Sequence, residues 1–200
     1  MDSKTFGQDM QSYRPKSTEI NNLIYRRWSP RAMSGARLAE KELRALFEAA
    51  RMAPSAYNLQ PWLFLYAEKD SQEWATYFDL LVDFNKSWAV RASYLVAIVS
   101  EKTYGPEKKL SPTHSFDSGA AWMCMALEGA DRGLVVHAMS GFDYEKAKTA
   151  LKVPDSHQIE AMVAVGLHGE STELPPSLQE REFPSSRKPI EQIMKKGLFS

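Results

Sequence analysis

The chain has 200 residues, 44% of them hydrophobic and 25% charged, and its 25 basic and 25 acidic side chains give a formal net charge of zero. These are the proportions of one globular domain with a real core, not of a disordered or fibrous chain. Without a basic excess a nucleic-acid partner is not expected, and without a run of roughly 18 apolar residues neither is a membrane-spanning helix.

The single cysteine, Cys124, excludes an intrachain disulfide and falls within an apolar helical pattern, where a small core residue is commoner than a nucleophile. His114, His137, His157 and His168 are scattered without metal-ligand spacing, so no metal site is expected. The first residues lack the apolar stretch of a signal peptide, and a cytoplasmic protein is expected.

Residues 1–16 are polar and read as an N-terminal arm, with 17–200 as a single domain. Ser17 or Thr18 caps a first helix whose stripe is Ile20, Leu23, Ile24 and Arg27, ended by Pro30. A second helix carries Leu43, Leu46, Phe47 and Ala50 and stops before Pro54. Residues 62–67 read as a buried strand, 71–83 as a helix, and 94–100 as a strand covered on both faces. The polar stretch 101–116 reads as a loop.

Asp117 caps a helix to about Arg132, stopped by Gly133 and apolar almost all round, which suits a core or a subunit interface. A strand over 134–138, a short helix capped by Asp143 and a strand over 159–167 follow. The polar, Pro-rich tail from Ser171 has one short helix after Pro189. Two helices precede the first strand, so a three-layer α+β domain fits better than alternating βαβ units.

No glycine-rich phosphate loop and no nucleophile elbow occur. In Arg27-Trp28-Ser29-Pro30-Arg31 two guanidinium groups flank a hydroxyl, a pattern that matches phosphate oxygens. The same residues also read as cations complementing a helix C-terminus. The segment 53–62, Ala-Pro-Ser-Ala-Tyr-Asn-Leu-Gln-Pro-Trp, brackets Ser55, Asn58 and Gln60 between prolines. It is either a stiff polar loop that reads a flat amide-like ligand or a well-ordered turn.

Taken in series, these strings resemble the FMN-dependent nitroreductase family over about residues 18–197. The remaining pieces are Asn85 and Trp88, Asp117-x-Gly119-Ala120-Ala121, Met139-Ser140-Gly141-Phe142-Asp143, Val153-Pro154, and Arg187-x-Pro189. The resemblance implies a three-layer α/β/α sandwich in a domain-intertwined homodimer, with FMN between subunits. It places Arg27, Trp28, Ser29, Arg31, Ser185 and Arg187 toward the phosphate, ribityl chain and pyrimidine edge, and Ser55, Ala56 and Asn58 on the flavin from the other subunit.

Asn85 would meet the polar ring edge, and Met139, Ser140 and Gly141 would place backbone against the central ring, where a missing Cβ permits close approach. Phe84, Trp88 and His137 would line the substrate side; His137 also reads as a satisfied strand-end residue, and the two aromatics as core.

The implied activity is ping-pong hydride transfer from NADH or NADPH, through flavin N5, to nitroaromatics, quinones or related electron-poor acceptors. No side chain need be catalytic, because the cofactor carries the chemistry. The alternative is an FMN-binding protein without turnover, for storage or sensing. Some relatives have a lysine at about the position of Trp88 and another basic residue at about that of Ser185, and this chain has neither at those two places. That departure touches phosphate affinity and redox tuning rather than fold.

Overall fold

A computed structural model describes residues 4–6 and 8–199. Short strands β1 (Lys4–Thr5) and β2 (Gln8–Asp9) precede helices α1 (Met10–Tyr13), α2 (Asn22–Arg26) and α3 (Glu40–Arg51). Strand β3 (Trp62–Glu68) leads to α4 (Trp74–Asp79), α5 (Asp83–Ala89) and β4 (Tyr94–Glu101). Then follow the small strands β5 (Thr103–Tyr104) and β6 (Lys109–Leu110), the long helix α6 (His114–Asp131) and β7 (Leu134–Met139). Helix α7 (Tyr144–Ala150), β8 (His157–Leu167) and α8 (Pro176–Gln179) complete the order.

The main sheet runs β3-β4-β8-β7 and every pairing is antiparallel. Alternation along β4 sends Tyr94, Val96 and Ile98 to one core with Leu43, Leu46 and Met125, and Leu95, Ala97 and Val99 to another with Tyr77, Leu80 and Trp88. Helices α3 and α6 therefore cover one face and α4, α5 and α7 the other, the three-layer α+β arrangement expected. The unbroken apolar run of β4 reports burial on both faces and is silent about strand direction. Helix α6 lies close to the sheet at Gly129, where a Cβ would come within 2.4 Å of Val136 Cγ2.

Several expected elements are corrected. Helix α2 is short and capped by Asn21, whose side chain accepts from the Leu23 N–H at 2.8 Å. Its buried residue is Tyr25, while Ile20 and Ile24 are exposed. Strand β3 lies at the sheet edge, with Leu63 and Tyr66 exposed rather than buried. The helix expected over 71–83 ends at Asp79, because Leu81 turns to bridge Phe142, and a separate helix starts at Asp83.

The loop expected over 101–116 contains the β5–β6 hairpin. Helix α6 begins at His114, so Asp117 lies in its first turn, buried, and does not cap it. The described part of the N-terminal arm is folded onto the domain. Met10 is fully buried with Tyr25 and Trp28, and Phe6 stacks on His168 with ring centroids 4.2 Å apart. No helix among the described residues is long and apolar enough to cross a membrane.

Candidate functional site

The extended turn after α2, the end of β7 and the tail after α8 enclose a cavity of about 410 Å3. Its lining includes Arg27, Trp28, Ser29, Arg31, His137, Ser185 and Arg187, all singled out in the sequence. The fold adds Arg14 from the N-terminal segment, and Arg181 and Phe183 from the tail. A volume in the range of roughly 300–1,000 Å3 is typical of a small-molecule site.

Five guanidinium groups meet here with little acid to offset them. Arg14, Arg27, Arg181 and Arg187 form no ion pair among the described residues, and Arg31 has Glu182 at 3.9 Å. Burial, then Arg187 and Arg27, draw Arg14 down to about 10. Burial followed by Arg187 lowers Arg27, and burial lowers Arg31 even against Glu182. Cations held in such surroundings are destabilised in the charged form unless an anion joins them.

Hydrogen bonds fix the positions of these groups. Arg27 Nη1 donates to Ser29 Oγ at 3.1 Å, and Arg187 Nη1 to the carbonyls of Ser185 and Ser186 at 3.1 and 2.9 Å. Glu182 fastens the Arg31 turn, its Oε1 accepting from the backbone N–H of Arg31 (2.6 Å) and of Ala32 (2.8 Å). Burial raises the Glu182 carboxyl above its ordinary range despite those donors. The indole Nε1 of Trp28 and Nε of Arg31 are buried without a partner among the described residues, so donors remain unspent at the cavity.

His137 also lines the cavity. Its Nδ1 lies 2.8 Å from the Pro30 carbonyl, which can only accept, so Nδ1 carries the proton and Nε2 the lone pair. Burial, with the fields of Arg31 and Arg27, pushes its pKa down to about 4 and keeps the ring neutral. Trp88 sits beneath it, ring centroids 4.6 Å apart, and at 1% exposure belongs to the core, not to a pocket wall. Phe84 is exposed on α5 and does not line the cavity.

Asn85 is also turned inward. It is buried and donates through Nδ2 to the Gly141 carbonyl at 2.9 Å. The space a Gly141 Cβ would need is taken by Asn85 Nδ2 at 2.6 Å and Val82 Cγ2 at 3.0 Å. Glycine at 141 therefore serves packing within this chain. Met139 is buried and Ser140 exposed beside it.

Ser55, Ala56 and Asn58 lie outside the cavity, against the start of α6. There the buried Asp117 carboxylate accepts from the Ala56 N–H at 3.1 Å and Thr113 Oγ1 at 3.2 Å. Tyr57, Asn58 and Gln60 all have positive φ, and Tyr57 is 92% exposed. On α6, Phe116 (79% exposed) and Met123 continue this outward apolar face. A second cavity of about 660 Å3 joins Met123 and Leu127 to Ile20, Ile24 and the Arg14–Arg27–Arg187 group.

Arg14, Arg181 and Glu182 are the residues that sequence reasoning missed. The local signal was thin: a charged residue in a polar N-terminal segment and an Arg-Glu pair in a polar tail.

The fold is thus an antiparallel three-layer domain with an arginine-walled cavity. The sequence model of the Nitroreductase family matches residues 24–87 and 71–167, and the chain belongs to that family. A solved oxidoreductase containing FMN superposes with a TM-score of 0.89 at 39% identity, covering 94% of this chain and 96% of its own. A Streptococcus pyogenes protein that bears the name of an NAD(P)H nitroreductase is 23% identical over 189 residues, 78% of this chain and 88% of the relative. A Desulfovibrio desulfuricans protein solved in complex with FMN has a TM-score of 0.70 at 21% identity, covering 92% of this chain and 100% of its own, a likeness of fold.

Proposed function

We propose that this chain binds FMN in the arginine-walled cavity and works as an NAD(P)H-dependent oxidoreductase. The observation that carries the reading is the donor set itself. Arg14, Arg27, Arg31, Arg181 and Arg187 are gathered in one wall, and among the described residues only Arg31 has a carboxylate within 4.0 Å, that of Glu182. Such a wall suits a phosphate, and the orphan N–H groups of Trp28 and Arg31 suit a polar chain or ring edge. The solved oxidoreductase containing FMN, alike over nearly its whole length, supports the same cofactor.

When bound, FMN supplies a two-electron carrier that accepts hydride from NADH or NADPH and passes it to a nitroaromatic, quinone or similar acceptor in alternating half-reactions. The chain's own residues bind and orient. Arg27 and Arg187 hold the phosphate, with Ser29 and Ser185 beside them, and Arg31 supplies positive charge toward the ring edge. His137 keeps its proton on Nδ1 against Pro30 and offers Nε2 as an acceptor. Asn85 fixes the Met139–Ser140–Gly141 turn through the Gly141 carbonyl.

A homodimer in the cytoplasm completes the reading, with Ser55, Ala56 and Asn58 of one subunit reaching the other subunit's flavin. Surface area supports it. The chain exposes 11836 Å2, against about 9,500 Å2 expected for a compact 22.6 kDa monomer.

Anaerobic addition of NADH or NADPH to the yellow protein tests the activity. Bleaching of the flavin absorbance, restored by a quinone, is expected; a flavin that stays oxidised with both nucleotides refutes it. Light scattering of Met123→Glu, expected to show monomers where the parent shows dimers, tests the assembly.

A further inference from the structure

Arg14 belongs to none of the motifs above, yet it is 8% exposed in the wall of the cavity. It is held there from three sides. Met10, four residues earlier, is fully buried, and Tyr13 stacks on Phe183 with centroids 5.3 Å apart. Tyr25 Oη donates to the Arg14 carbonyl at 3.1 Å. The guanidinium then joins the two segments that flank the cavity: Nε donates to the Ser185 carbonyl and Nη1 to the Arg27 carbonyl, both at 2.8 Å.

The same Ser185 carbonyl accepts from Arg187 Nη1 at 3.1 Å, so two guanidinium groups are drawn around one oxygen with Arg27 beside them. No carboxylate pairs with any of the three among the described residues. A purely structural clamp accounts for Nε and Nη1 of Arg14. It leaves unexplained why three cations converge where burial and then their fields lower Arg14 and Arg27, and why Nη2 has no acceptor among the described residues. A doubly charged tetrahedral anion answers both, because it offsets the repulsion and accepts from several forks.

We propose that Arg14 is a phosphate-binding residue, the third guanidinium of a cradle with Arg27 and Arg187 that receives the phosphate monoester end of the cofactor. The inference rests on the FMN reading. It gives the N-terminal segment a role in cofactor retention and adds a second cation beside Ser185, next to Arg187.

Riboflavin, which lacks the phosphate, separates this role from a structural one. In Arg14→Gln the dissociation constant for FMN is expected to rise about tenfold or more, on the scale of a lost charge-assisted hydrogen bond, while that for riboflavin stays within about twofold. Equal weakening of both flavins, or of neither, overturns the proposal. If Arg14→Gln does not fold, the same ratio is read in Arg14→Lys, which keeps the charge but not the fork. There a loss of FMN-over-riboflavin preference of about threefold or more is expected, and an unchanged preference overturns the proposal.

Inorganic phosphate tests the cradle without flavin. It is expected to raise the melting temperature of the parent protein and not of the Arg14 variant, and equal shifts count against the cradle. A parent that binds no flavin but shows the Arg14-dependent phosphate shift refutes the FMN reading and leaves the cradle standing.

Discussion

Glu182 offers a sharp test of how the cavity is held in shape. Its buried carboxylate accepts from two successive backbone N–H groups, those of Arg31 and Ala32, across 151 and 150 residues of chain. Glu182→Ala leaves both donors without an acceptor. The Ala32 N–H is fully enclosed and costs about 1–3 kcal/mol when orphaned; the Arg31 N–H, nearer water, costs about 1 kcal/mol. The sum is about 2–4 kcal/mol, a fall of about 5–15 °C in melting temperature for a chain of this length.

Glu182→Gln retains an acceptor oxygen and gives up a 3.9 Å contact with the Arg31 guanidinium, so it is expected within about 1 kcal/mol of the parent. The sign with pH is opposite to that of an ordinary paired carboxylate. Burial raises the folded-state pKa above 4.5, so the stability this group contributes is present at low pH and declines as pH rises through the raised value. Glu182→Gln lacks that decline and is expected to gain on the parent as pH rises above 4.5. Urea titrations at matched protein concentration read all three quantities. The reasoning fails if Ala costs under about 1 kcal/mol, or if Gln is as damaging as Ala.

Two further perturbations address the neighbouring elements. His137 is held at about 4 against 6.5 in the unfolded chain, so its contribution is intact above pH 6.5 and is lost as pH falls toward 4. That is about 3 kcal/mol in all, which His137→Gln is expected to remove; parallel stability–pH curves for the two proteins would exclude the neutral ring. Gly141→Ala places a methyl 2.6 Å from Asn85 Nδ2 and is expected to cost about 1–3 kcal/mol. In a double-mutant cycle Asn85→Ala is expected to absorb part of that cost, and strict additivity would show that the two do not meet.

The sheet strands and the α3 helix were legible because burial repeats with the period of the element. The alternation of Tyr94, Val96 and Ile98 against Leu95, Ala97 and Val99 is a local pattern, and so is the stripe Leu43, Leu46, Ala50. The Arg27–Arg31 and 53–62 strings were legible for another reason: stiff turns between prolines keep chemistry close in sequence. The boundaries failed where a side-chain cap or a tertiary bridge decided the matter. Asn21 rather than Ser17 or Thr18 opens α2, and the Leu81–Phe142 bridge splits the helix expected over 71–83.

The sequence by itself determined a charge-balanced α+β chain and the family strings carrying Arg27, Ser29, Arg31 and Arg187. Only the tertiary structure decided that Arg14 and Glu182 belong with them, because hydrogen bonds spanning 171 and 151 residues leave no period or spacing to read. It also decided that Trp88 and Asn85 face inward, since a residue's burial is set by what packs on its helix. Local physics governs which element forms; the net field of a cavity depends on charges brought together from distant parts of the chain, and exists only once the chain has folded.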